Sequence, residues 1–87
     1  MSSLFKAKDY CVFTFVSTAH AFKAERVLKM EALEHIMIPT PREISTSCGL
    51  SIKLFPQDRE RYQQLMAEKD VSLERVYHID PQGIREL

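Results

Sequence analysis

Tyr10-Cys11-Val12-Phe13-Thr14-Phe15-Val16 runs straight into Ser17-Thr18 and then into Ala19-His20-Ala21-Phe22-Lys23-Ala24, and this junction decides the fold class. The first seven residues are mostly aromatic and β-branched, the composition of a strand buried on at least one side. A period of two gathers Cys11, Phe13 and Phe15 on one face. Ser17 and Thr18 then offer hydroxyls suited to capping a helix start. Beyond them Ala21, Ala24, Leu28 and Ala32 fall on one stripe at helical spacing, which predicts a helix over about 19–33 whose small side chains allow close packing on a sheet.

Reading outward, His35-Ile36-Met37-Ile38 is too short for a helix and is followed by Pro39 and Pro41, so it predicts a second strand that becomes irregular at the prolines. Leu50-Ser51-Ile52-Lys53-Leu54 alternates apolar and polar residues, the pattern of a third strand with one buried face. Pro56 and Asp58 suit the first turn of a polar helix in which Tyr62, Leu65 and Met66 share a face. Leu73 to Ile79 predicts the final strand, broken by Asp80-Pro81-Gln82-Gly83. The order β-α-β-β-α-β points to an α+β fold of the ferredoxin-like kind. That fold has a four-stranded antiparallel sheet, in the spatial order fourth, first, third, second, with both helices on one face. Residues 1–9 read as a flexible N-terminus, 10–80 as one domain and 81–87 as a loosely held tail.

Composition narrows the function classes. The 87 residues suffice for one modest core and a single functional surface. Twelve Lys plus Arg balance twelve Asp plus Glu, so no overall field draws the chain to nucleic acid or anionic lipid, and no apolar run approaches the roughly 20 residues that span a bilayer. The start of the chain lacks the apolar stretch of a secretory signal, which favours a cytoplasmic protein with free thiols. His20, His35 and His78 share no ligand spacing with Cys11 or Cys48, and there is no Cys-x-x-Cys pair, so no metal site is expected. No cofactor-binding motif is recognised either.

One loop invites a chemical reading. In Ser45-Thr46-Ser47-Cys48-Gly49, a cysteine is flanked by small polar residues and a glycine, with Arg42 upstream, and reads as a presented thiol. In the expected topology the hairpin between the second and third strands lies at the same end as the start of the first helix. Cys48 should therefore stand near Ser17 and Thr18, where the helix N-terminus and Arg42 would favour its thiolate. Ser47 and Gly49 leave room for an approaching reactant, and Gly49 lets the backbone turn N–H groups toward an anionic sulfur. His20 is a candidate proton partner. Glu25, an unusual carboxylate near the apolar stripe, is a candidate partner of Arg42 or Arg26. Cys11 belongs to the core at the far end of the sheet, beyond disulfide reach of Cys48.

Phe15-Val16-Ser17-Thr18, Ala24-Glu25, Ile38-Pro39-Thr40-Pro41-Arg42-Glu43-Ile44-Ser45 and Ser47-Cys48-Gly49-Leu50 together resemble a family of small bacterial proteins described as selenium or sulfur carrier-like. The resemblance covers about residues 10–55, and its most specific part is the Pro-Arg-Glu-Ile-Ser segment leading into Ser-Cys-Gly-Leu. It implies a shuttle in which Cys48 accepts sulfur or selenium from a donor protein as a persulfide or selenosulfide and passes it to an acceptor protein. The family commonly ends its first helix with a glycine, whereas this chain reads Met30-Glu31-Ala32-Leu33 there. Two other readings stand beside the carrier: a ligand-binding or regulatory module dimerising through an open sheet face that includes Tyr10, Val12, Val16 and Phe55, and a redox-sensing thiol. An independent enzyme is disfavoured, since one nucleophile without a placed base and pocket suits transfer between proteins better than turnover of a free substrate.

Overall fold

The computed structural model describes residues 3–87. It is an α+β fold with two helices and one antiparallel sheet of five strands, β1 (Tyr10–Phe15), α1 (Thr18–Met30), β2 (Ile36–Pro39), β3 (Leu50–Leu54), α2 (Arg59–Glu68), β4 (Leu73–Asp80) and β5 (Gly83–Glu86). The spatial order is β2-β3-β1-β4-β5. The sequence expectation of four strands is thus corrected. The segment read as a loose tail pairs with β4 from Tyr77↔Glu86 to Asp80↔Gly83, because Asp80-Pro81-Gln82-Gly83 forms a reversing turn, in which Gly83 takes a φ of 139°, and does not end the structure.

Both helices serve one face of the sheet. Cys11, Phe13 and Phe15 of β1, Ile52 and Leu54 of β3 and Val76 of β4 form one buried cluster with Ala21, Ala24 and Leu28 of α1 and Tyr62 and Met66 of α2. The alternation of β1 and β3 selects this face, and the alanines of α1 let the helix lie close. Tyr62 completes the packing by donating its phenolic hydrogen to the Glu34 carbonyl at 2.9 Å. Burial pushes its phenol up to about 12.

The second face is covered at its centre. Val12 and Thr14 are fully buried although they point away from the helices. Leu4–Lys6, within the segment read as flexible, form a 3-10 turn whose Leu4 is buried. Lys53, opposite Val12 in the ladder, donates to the carbonyls of Phe5 and Ala7 at 3.4 and 3.2 Å and lies 4.3 Å from the centre of the Tyr10 ring. Its ammonium thereby fastens the N-terminal segment across the sheet. Burial holds the Lys53 amine below its usual range. Of the apolar face expected to be open, Val12 is therefore covered and Tyr10 and Phe55 are partly buried, while Val16 stays exposed.

The first helix begins as expected, with the Ser17 side chain accepting from the His20 N–H at 3.4 Å, but it ends earlier, at Met30. Ala32 does not continue the stripe and takes a φ of 56°. Ala32 N–H donates to Lys29 O at 3.0 Å and Leu33 N–H to Leu28 O at 2.9 Å, the double closure of a Schellman ending. Asp70, with φ of 59°, ends α2 in the same way through Val71 N–H to Met66 O at 2.9 Å. Alanine at a left-handed position carries strain that glycine does not. Ala32→Gly is expected to stabilise the protein by about 0.5–1 kcal/mol, the relief of strain exceeding the extra flexibility of the unfolded chain. A lower midpoint in urea unfolding would contradict this account of the helix end.

Candidate functional site around Cys48

The long connection between β2 and β3 returns to the sheet at Cys48, and the alternation of β3 extends back through it. Cys48, Leu50, Ile52 and Leu54 all contribute to the helix-side cluster. The expectation of a presented thiol is corrected by this register: Cys48 is only 1% exposed. A thiol on the inward parity of a strand packs as a small hydrophobe whatever the polarity of its immediate neighbours. The spacing of two from Leu50 was the signal for it.

The topology does bring Cys48 to the start of α1. Its Sγ lies 3.6 Å from Thr18 Oγ1 and receives the Leu50 N–H at 3.5 Å. Thr18 itself is exposed, so the sulfur sits one side chain beneath the surface. Ser17 is spent on capping, its oxygen holding the His20 N–H. The backbone around the thiol is fixed by Thr40, a residue not singled out from sequence. Its Oγ1 donates to Cys48 O at 3.0 Å and lies 2.7 Å from Ser51 Oγ, while its N–H donates to Gly49 O at 2.9 Å.

Other candidates fall elsewhere. Arg42 is exposed and, among the described residues, has no hydrogen bond or ion pair to the Cys48 loop. His20 Nδ1 accepts the Ser72 N–H at 3.0 Å, tying α1 to the approach to β4, and among the described residues the sulfur's hydrogen-bond partners are Thr18 and Leu50 instead. Glu25 pairs with His35 Nε2 and with Lys29 at 3.7 Å, instead of with Arg42 or Arg26, and His35 donates from Nδ1 to Leu33 O at 2.7 Å. That cluster braces the exit of α1, away from the thiol. Gly49 has no left-handed φ and an added Cβ would meet nothing within 4 Å. Its backbone does not need glycine, and what it contributes is open space.

Ser45, Thr46 and Ser47 line a polar groove with Glu43, Glu74, Arg75 and Tyr77. Cys48 is not among its walls. Glu74 closes the groove by gripping the loop: Thr46 Oγ1 donates to Glu74 Oε1 at 2.6 Å, Ser47 N–H to the same oxygen at 3.3 Å, and Ser47 Oγ to Glu74 Oε2 at 3.4 Å. These hydrogen bonds, the Thr46 hydroxyl foremost, hold the carboxyl below the usual glutamate range.

Cys11 and Cys48 are both free thiols. Cys11 pairs with Leu54 in the ladder, about 20 Å along β3 from Cys48 at roughly 3.3 Å per residue. Burial pushes the Cys11 thiol up, with Asp9 adding to the effect and Arg59 and Arg85 opposing it. Among the described residues no three His, Cys, Asp or Glu side chains converge to hold a metal ion, and no helix is long and apolar enough to cross a membrane.

Residues 10–78 match the family described as "Putative Se/S carrier protein-like". The chain belongs to this family. The match spans β1 through most of β4 and so includes the thiol, the helix start beside it and the Glu74 grip. No curated protein and no solved structure is significantly similar to the chain.

Two substitutions separate packing from chemistry here. Cys48→Ala is expected to keep the fold at a cost of about 1 kcal/mol for the lost buried sulfur, and Gly49→Ala to change stability by less than about 0.5 kcal/mol. Denaturant unfolding checks both, and a loss of several kcal/mol in Gly49→Ala would refute the open space assigned to that position.

Proposed function

We propose that this carrier-family protein holds a transferable sulfur or selenium atom on Cys48 and passes it between partner proteins. The observation that carries the reading is the surroundings of the sulfur within the family match: a backbone N–H from Leu50 and a rotatable Thr18 hydroxyl, both within 3.6 Å, at the N-terminal turn of a 13-residue helix. With the thiol protonated, its hydrogen points to Thr18 Oγ1. With the thiol ionised, the hydroxyl turns and donates to the anion, beside the fixed Leu50 donor and the positive end of the helix dipole.

In the loading step the Cys48 thiolate attacks the outer sulfur of a donor persulfide. A new S–S bond forms on Cys48, the donor's own S–S bond breaks, and the donor leaves as a thiolate carrying that electron pair. Unloading repeats the exchange with an acceptor thiolate and returns Cys48 to its starting state, so the cycle needs neither an external oxidant nor a reductant. Selenium follows the same electron count. The near-complete burial of Cys48 favours protein partners over a free small substrate, because the residues that cover the sulfur have to move before a reactant can meet it.

Intact-mass measurement after incubation with cysteine persulfide, without added reductant, tests this. One sulfur atom should be gained by the parent and by Cys11→Ala but not by Cys48→Ala, and a low-mass thiol should remove it. No adduct, or an adduct that follows Cys11, would overturn the carrier assignment.

A further inference from the structure

The strand that holds the loop shut is irregular where it does so. In the β1–β4 ladder Thr14 pairs with Arg75 and Phe15 with Leu73, so Glu74 is an extra residue with no opposite number, the mark of a bulge. Thr14, itself buried but pointing away from the helices, supports the irregularity. Its Oγ1 accepts the Arg75 N–H at 2.9 Å and donates to the Arg75 carbonyl at 3.2 Å. The bulge frees the Glu74 carboxylate to reach the β2–β3 connection, where it takes three hydrogen bonds from Thr46 and Ser47.

Those bonds continue to the thiol. The Thr46 hydroxyl that donates to Glu74 also accepts the Cys48 N–H at 3.3 Å, so carboxylate, hydroxyl and cysteine backbone form one chain. On the other side of Cys48, Thr40 grips the Cys48 and Gly49 carbonyls and is itself part of the β2–β3 pairing region. Of the two grips, the one on Thr46 and Ser47 depends on a single side chain, and both of those residues sit at the surface or close to it.

We propose that Glu74 is a latch: its carboxylate holds the 45–47 segment and, through the Thr46 hydroxyl, the Cys48 backbone in the position that turns the sulfur inward, and its release lets that sulfur reach a reaction partner. The latch deepens the carrier reading, since it assigns how a buried thiol is made available, but it concerns access alone. The charged and titratable groups that share the groove with the carboxylate are Arg75 and Tyr77 from β4 and Glu43 from the loop. Because the hydrogen bonds from Thr46 and Ser47 keep Glu74 ionised below the usual carboxylate range, the latch is at full strength above the unfolded pKa, roughly 4.3. It is lost as pH falls through the lower folded value.

The buried Cys11 provides an internal control, because it lies in the same cluster at the same 1% exposure and far from the latch. The experiment is native-state alkylation by N-ethylmaleimide at neutral pH, with the two thiols resolved by peptide mass. Glu74→Ala should raise the Cys48 rate at least tenfold and leave the Cys11 rate unchanged. Glu74→Gln, which keeps a carbonyl acceptor for Thr46, should give a smaller increase. Hydrogen exchange of the Ser47 amide supplies a readout independent of thiol ionisation: corrected for intrinsic exchange, its protection should disappear in the parent at acid pH below the usual glutamate range but show no such step in Glu74→Gln. Equal acceleration of both cysteines would mean general loosening, and no acceleration of Cys48 would mean no latch, so either result overturns the proposal. If alkylation behaves as expected but no sulfur loads from persulfide, the carrier reading fails and the latch stands. Persulfide loading at the same rate in parent and Glu74→Ala would reject the latch and leave the carrier.

Discussion

The inward parity of β1 and β3 is the constraint on which the rest of the structure depends. Cys11, Phe13 and Phe15 on one strand and Cys48, Leu50, Ile52 and Leu54 on its neighbour turn the same way, and the helices have to cover that side. A shift of one residue in either strand would move these side chains to the opposite face and bring Thr14, Ser51 and Lys53 under the helices. The same parity decides the environment of the cysteine loop, since a thiol two residues before Leu50 is carried inward with it.

Much of this was legible in the chain. The strand at Tyr10–Phe15, the cap at Ser17, the alternating Leu50–Leu54 and the apolar face of α2 all have local causes, and local causes survive in sequence. The proximity of Cys48 to Thr18 was legible for a topological reason, because β1 leads into α1 at the end of the sheet to which the β2–β3 connection returns. What was lost is instructive. Cys48 was read from its immediate neighbours, Ser47 and Gly49, whereas its burial follows from the alternation that continues to Leu54. The fifth strand was missed because Asp80-Pro81-Gln82-Gly83 signals a break equally well whether the chain then leaves the sheet or folds back on it.

Glu74 was missed for a different reason. Leu73 and Val76 both contribute to the helix-side cluster although three residues apart, and an interval of three cannot be produced by an unbroken strand. That interval is a sequence-level trace of the bulge, but it does not say where the displaced carboxylate will point. Its destination depends on a loop some 27 residues earlier in the chain. Similarly, the stretch Met30-Glu31-Ala32-Leu33 lacks the helix-ending glycine that the resemblance implies, but Ala32 reads in sequence as part of the helical stripe, and only the paired closures at Lys29 and Leu28 establish that it takes the left-handed geometry.

The spacing of the two cysteines at opposite ends of the sheet has a kinetic meaning. In dithiol proteins a loaded or oxidised sulfur can be discharged by a second thiol nearby, within the same molecule and without waiting for anything else. Here Cys11 pairs beside Leu54, well out of reach of Cys48. No resolving cysteine is in place, so in the carrier reading proposed above the lifetime of an atom on Cys48 would be set by collision with an outside nucleophile.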